Sequence, residues 1–154
     1  MNTLKAEKRD MSIKAKKLRR EGFVTGNLFG RELEDSIPLK LDKAEVEKLL
    51  KVENKGGQVM LEVAGETYDA LIKEVDYNPL KGYVDEIDFQ ALVSNEKVHS
   101  VAEIVLHNTE NVVEGVLEQI LKEVSYKAYP SALVDKIDVD CGNLHLGDCI
   151  RVKD

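Results

Sequence analysis

The segment Asn78-Pro79-Leu80-Lys81-Gly82 constrains this chain more than any other. Asparagine bonds its own following backbone, proline presets φ for a turn and glycine supplies positive φ, so the chain must reverse here. The flanking residues, Thr67 to Val75 and Tyr83 to Leu92, read as strands, and Tyr68, Ala70 and Ile72 fall on one side of the first. Ala64-Gly65 is a second turn, which folds the strand Val59 to Val63 back against Thr67 to Val75. The middle of the chain is therefore expected to be an antiparallel sheet.

The preceding residues add to that sheet. Thr3 to Lys8 alternate as a first strand, Ser12 opens a short helix over Lys14 to Glu21, and Gly22 ends it. Val24 to Phe29 reads as a strand, although Gly26 and Asn27 weaken the pattern, and Gly30 to Ser36 is a polar loop before the strand Ile37 to Leu41. Asp42 with Glu45 has the spacing of a capping box, and Val46, Leu49 and Leu50 make one apolar face of a helix ending near Lys51. The expected product is a closed or nearly closed antiparallel sheet with two short helices.

Val93 to Lys97 is short and polar, which sets a domain boundary near Asn95, with one domain over residues 1–93 and a second over 97–154. The β pattern restarts at Val98 with Val101, Ile104 and Val105, ahead of a loop from His107 to Asn111. Val116 to Tyr129 is ambiguous: Val113, Leu117, Ile120, Leu121 and Val124 fit a helix, while alternate residues from Val116 to Tyr126 fit a strand only in part. Pro130 ends that segment, Ile137 to Val139 reads as a strand, Gly142 and Gly147 mark turns, and Cys149 to Val152 closes the chain. The fold class is mainly β in two domains, which 154 residues with 43% apolar composition can fill.

No apolar run approaches the roughly 18 to 20 residues that span a bilayer, and MNTLKAEKRD has no secretory apolar segment, so a cytoplasmic location is expected. Cys141 and Cys149 show no disulfide-type spacing and are expected to be free thiols. With His145 they are spaced by four, but without a CxxC pair a zinc site beside Asp140 or Asp148 is a weak reading against ordinary side chains. A Cys-His nucleophile pair lacks an oxyanion site, and the glycines form no phosphate or dinucleotide loop. No enzyme activity, cofactor or small-molecule substrate is expected.

A net charge of −7 would discourage nucleic-acid binding if it were evenly spread. From Met1 to Gly22, however, eight basic residues stand against three acidic ones, while Phe23 to Val93 has eight against fifteen and Ser94 to Asp154 six against eleven. The positive block can engage phosphates while the acidic remainder orients the protein. A merely solvated basic helix is the competing reading.

Four ordered stretches, TLKAEKR at Thr3 to Arg9, KKLRREGFV at Lys16 to Val24, ALIKEVDYNPLKGYVDEIDFQAL at Ala70 to Leu92 and EGVLEQILKEV at Glu114 to Val124, resemble a known family. It is the bacterial large-subunit ribosomal protein family L-twenty-five, in its two-domain general stress protein form called CTC, and the similarity covers nearly the whole chain. The resemblance implies a non-enzymatic, cytoplasmic component of the ribosome acting in translation. Its β-barrel-like N-terminal domain would bind the loop E region of 5S rRNA beside neighbouring large-subunit components, and an all-β C-terminal domain would follow. It also implies that Val116 to Tyr129 is largely extended. RNA helices of this kind are recognised by shape, with cations on phosphates and polar groups on 2′-hydroxyls and base edges. Arg9, Lys14, Lys16, Lys17, Arg19 and Arg20 suit the phosphates, Phe29 stands where the family has tyrosine, and Asp88 matches the acidic position of its IDF or VDF motif. Asp88 capping a turn is the plain alternative.

The chain departs from that pattern. Val24-Thr25-Gly26-Asn27-Leu28-Phe29-Gly30 replaces Val-Pro-Ala-Val-Leu-Tyr-Gly, Asp76-Tyr77 replaces Gln-Arg, and Glu86 replaces His. The C-terminal domain stops soon after Gly147-Asp148, where longer relatives continue, so its sheet is expected to be shortened or differently closed. The alternative function is a divergent paralogue serving as a stress-related protein-interaction module without RNA binding.

Overall fold

The turn at Asn78 forms as its residues require. In the computed structural model, which describes residues 2–112 and 115–153, the Asn78 side-chain oxygen accepts from the Leu80 and Lys81 amides at 3.0 and 3.1 Å, and Gly82 takes φ +73°. The turn joins β5 (Glu66–Tyr77) to β6 (Val84–Ala91). At the other hairpin Ala64 and Gly65 both have positive φ, which matches a tight turn to the twist of β4 (Gln58–Val63) and β5.

With β1 (Asn2–Lys8), β2 (Phe23–Phe29) and β3 (Ile37–Asp42), these strands close into a barrel ordered β1-β3-β2-β6-β5-β4. The antiparallel ladders follow the expected reversals, but β1–β4 and β2–β6 are parallel. Two parallel seams and the antiparallel β1–β3 ladder, which skips β2, close the barrel, pairings that strand alternation does not encode. Gly26 lies on one seam, where an added Cβ would stand 2.0 Å from the Ile87 carbonyl oxygen, so only glycine lets β2 and β6 pair this closely.

The interior holds Leu4, Leu28, Leu39, Leu41, Leu61, Ile72, Ile87 and Phe89, all essentially inaccessible. Each such side chain contributes about 2 kcal/mol of burial. Helix α2 (Lys43–Leu50) adds Val46 and Leu49 to this core, and its Asp42 cap accepts from the Ala44 and Glu45 amides. Helix α1 (Ala15–Arg20) begins later than expected. The Ser12 hydroxyl donates to the Asp10 carboxylate at 2.6 Å, so Ser12 completes a turn rather than capping the helix, and Lys14 takes the cap position.

A second sheet follows, ordered β8-β7-β9, from β7 (Val98–His107), β8 (Glu123–Ala128) and β9 (Lys136–Asp140). No helix forms over residues 115–129, and β8 occupies only the end of that segment. Val113, one of the residues that fitted a helix, lies outside the described residues. No helix is long and apolar enough to cross a membrane among the described residues. Loop and strand contacts join the second sheet to the barrel: Gln58 donates to the Pro130 carbonyl at 3.2 Å and Lys73 to the His99 carbonyl at 2.6 Å.

Candidate functional site

The parallel β2–β6 seam decides which residues stand together. Val24 and Leu28 of β2 and Ile87 and Phe89 of β6 point into the barrel, so their alternates point out. The register then pairs Thr25 with Glu86, Asn27 with Asp88 and Phe29 with Gln90 on the outer face. Across the antiparallel seam, Glu74 stands opposite Asp88 and Asp76 opposite Glu86. One continuous outer surface therefore carries Asp88 and three of the departures from the family pattern, Phe29, Asp76 and Glu86. Another departure, Tyr77, is exposed at the end of β5.

Helix α1 packs over β2 at the edge of this surface and buries only Leu18. Lys14, Lys16, Lys17 and Arg20 surround an open hollow with Ser12 and Ile13, and all four are exposed. Arg19 faces the other way. Its Nε donates to the Asp85 carbonyl at 3.1 Å and its Nη2 to the Thr25 hydroxyl at 3.0 Å. Arg9, just past β1, donates from Nη2 to the Ile13 carbonyl at 3.3 Å, while its Nε is buried without a hydrogen-bond partner. The expected cations thus divide into four that point to solvent and two, Arg9 and Arg19, bonded within the protein.

The paired carboxylates shape the electrostatics. Burial, then Asp88 and Asp76, hold the Glu86 carboxyl above its ordinary pKa, against the pull of Arg19 and Arg9. Burial likewise raises Asp88, where hydrogen bonds to Asn27 act in the opposite sense and Asp76 and Glu74 add repulsion. One Asp88 oxygen, Oδ1, is buried without a hydrogen-bond partner. Asp88 therefore sits in the outer row of a sheet rather than at a turn. An RNA helix laid on this surface would meet cations along α1 and acceptors along β5–β6, which suit base amino groups and 2′-hydroxyls and repel phosphates.

Thr25, Asn27, Glu74 and Gln90 are not among the residues the sequence marks for RNA contact, although Thr25 and Asn27 stand among its departures from the family pattern. Alternation along β2 places Thr25 and Asn27 with Phe29, but their neighbours on β6 depend on a parallel pairing with no sequence signature. Beyond β9, Cys141 is buried and Cys149 exposed, both free, and no cluster among the described residues could hold a metal ion.

Comparison with known proteins assigns both parts. A sequence profile described as the Ribosomal L25p family matches residues 4–89, and one described as the C-terminal domain of ribosomal protein TL5 matches residues 97–154. Among similar proteins, "Large ribosomal subunit protein bL25" of Thermoanaerobacter sp. (strain X514) is 29% identical over 99% of this chain and 77% of its own length. The protein of that name from Carboxydothermus hydrogenoformans is 32% identical over 96% of the chain and 78% of its own length. That from Bacillus velezensis is 30% identical over 100% and 78%.

Proposed function

The chain belongs to the ribosomal L25p family, and from that premise we propose that it is a cytoplasmic component of the large ribosomal subunit whose barrel binds the loop E region of 5S rRNA. As a member of a ribosomal protein family, it is not an enzyme. The observation that carries the RNA reading is the placement of Lys14, Lys16, Lys17 and Arg20, exposed on one short helix, at the edge of the outward face of β2 and β6. The four cations supply the phosphate contacts, Asn27 and Gln90 offer amides to 2′-hydroxyls and base edges, and Asp88 accepts from base amino groups. Phe29, without a hydroxyl, offers only an apolar edge.

The interaction-module alternative draws on one feature, the carboxylate row of Glu74, Asp76, Glu86 and Asp88 on the same face. A mobility-shift titration with a synthetic loop E hairpin separates the readings. Four phosphate contacts give a slope of log affinity against log salt of about −3 to −4. A folded protein that leaves the hairpin unshifted at low salt favours the interaction module.

A further inference from the structure

We propose that Arg19 is a positioning residue for the RNA-binding face: it clamps helix α1 to the barrel through Thr25 and Asp85, so that Lys14, Lys16, Lys17 and Arg20 are held toward the phosphates. The inference rests on the RNA-binding reading above and deepens it. Helix α1 has six residues, no side-chain cap at its start and one buried residue, Leu18. A helix that short is unstable by itself in water and must borrow order from what it packs against.

Arg19 supplies that attachment. Its two donors reach acceptors on adjacent strands, the Thr25 hydroxyl of β2 and the Asp85 carbonyl of β6, and the Thr25 hydroxyl itself donates to the same carbonyl at 3.4 Å. The three groups close a triangle across the β2–β6 seam. A planar guanidinium fits two acceptors at once, whereas a lysine ammonium on a flexible stem fixes no such angle. The hydroxyl depends on Thr25. Thr25 is 1% exposed and lies beneath the helix, so it cannot touch RNA. An effect of Thr25 on RNA affinity must therefore be indirect, and loosened α1 amides in the same variant assign it to Arg19 and the helix rather than to the Asp85 carbonyl of β6.

The test uses the full chain with Thr25→Val, Thr25→Ser and Arg19→Lys, a synthetic loop E hairpin as probe, and hydrogen exchange of the α1 amides without RNA. Losing a hydrogen bond to a charged group is expected to lower amide protection in α1 about tenfold and weaken hairpin binding about tenfold. Thr25→Val should do so with no change in charge or in the slope against salt. Arg19→Lys should resemble it although the charge is kept, and Thr25→Ser, which keeps the hydroxyl, should behave as the wild type. Wild-type affinity in both Thr25→Val and Arg19→Lys would make Arg19 a dispensable or purely electrostatic contact and overturn the proposal. Unchanged α1 exchange in Thr25→Val would overturn the clamp with or without RNA. A wild type that never binds the hairpin defeats the RNA reading and the positioning role together, while the exchange data still judge the clamp.

Discussion

At the scale of single residues, the charge and type of each site residue were legible but not its direction. Arg19 and Arg20 are adjacent and alike in sequence, yet one is bonded into the barrel and the other exposed. Only the packing of α1 on β2 separates them. Glu86 offers a test at this scale. Its carboxyl is raised in the fold by burial, Asp88 and Asp76, so the folded state holds a proton more readily than the unfolded one. Above that raised pKa the group therefore subtracts stability, and the deficit disappears as pH falls through it. Glu86→Gln should accordingly be more stable than wild type at pH 7, by about 0.5 kcal/mol, the scale for like charges facing across strands. Urea melts at pH 7 and pH 4 measure this. The advantage should shrink at the lower pH; an advantage that grows there would mean that Arg9 and Arg19 outweigh the carboxylates.

At the scale of elements, what local chemistry specifies was legible. Turns at Ala64-Gly65 and Asn78 to Gly82 and the Asp42 cap depend on residues within a few positions and form as read. The parallel seams were not legible because their partners are far apart in sequence, and residues 116–122 were not because their apolar positions fit a helix and, in part, a strand. Val116, which fits the strand pattern, and Ile120, which fits both, are 96% and 90% exposed, so no packed face disciplines that segment. Replacing Asp42 with Ala removes the acceptor for the Ala44 and Glu45 amides at 2.9 and 3.3 Å. It should cost about 1 kcal/mol, read as a lower thermal midpoint. The β5–β6 face carries a second prediction. Asp76→Gln, Tyr77→Arg and Glu86→His together remove two negative charges and add a guanidinium on a surface where Asp76 and Glu86 are neighbours. Loop E affinity should rise about tenfold or more; an unchanged mobility-shift titration would mean that RNA does not approach this face.

At the scale of the whole molecule, we propose that the boundary near Asn95 separates two folding units, because all six barrel strands precede it and β7, β8 and β9 pair only with one another. A fragment of residues 1–95 should therefore unfold cooperatively by itself in urea. Gly56 reports how far the units depend on each other. It takes φ +93°, its amide donates to the Ile72 carbonyl at 2.9 Å, and an added Cβ would lie 2.1 Å from the Val101 carbonyl oxygen of β7. Gly56→Ala thus imposes two separable costs. The left-handed backbone strain, about 1 kcal/mol, falls on the barrel whether or not the second sheet is present. The collision with Val101 arises only in the full chain, where it must displace β7 from the loop and strain the nearby contacts of Gln58 with Pro130 and Lys73 with His99. Urea melts of the full chain and the fragment, each with and without the substitution, form a double cycle in which the backbone strain cancels. The full chain should lose about 1 kcal/mol more than the fragment, the lower end of the cost of forcing extra volume into a packed contact. Equal losses would show that the second sheet does not rest on Gly56 in solution, and a fragment that fails to fold would show that barrel and second sheet make one cooperative unit.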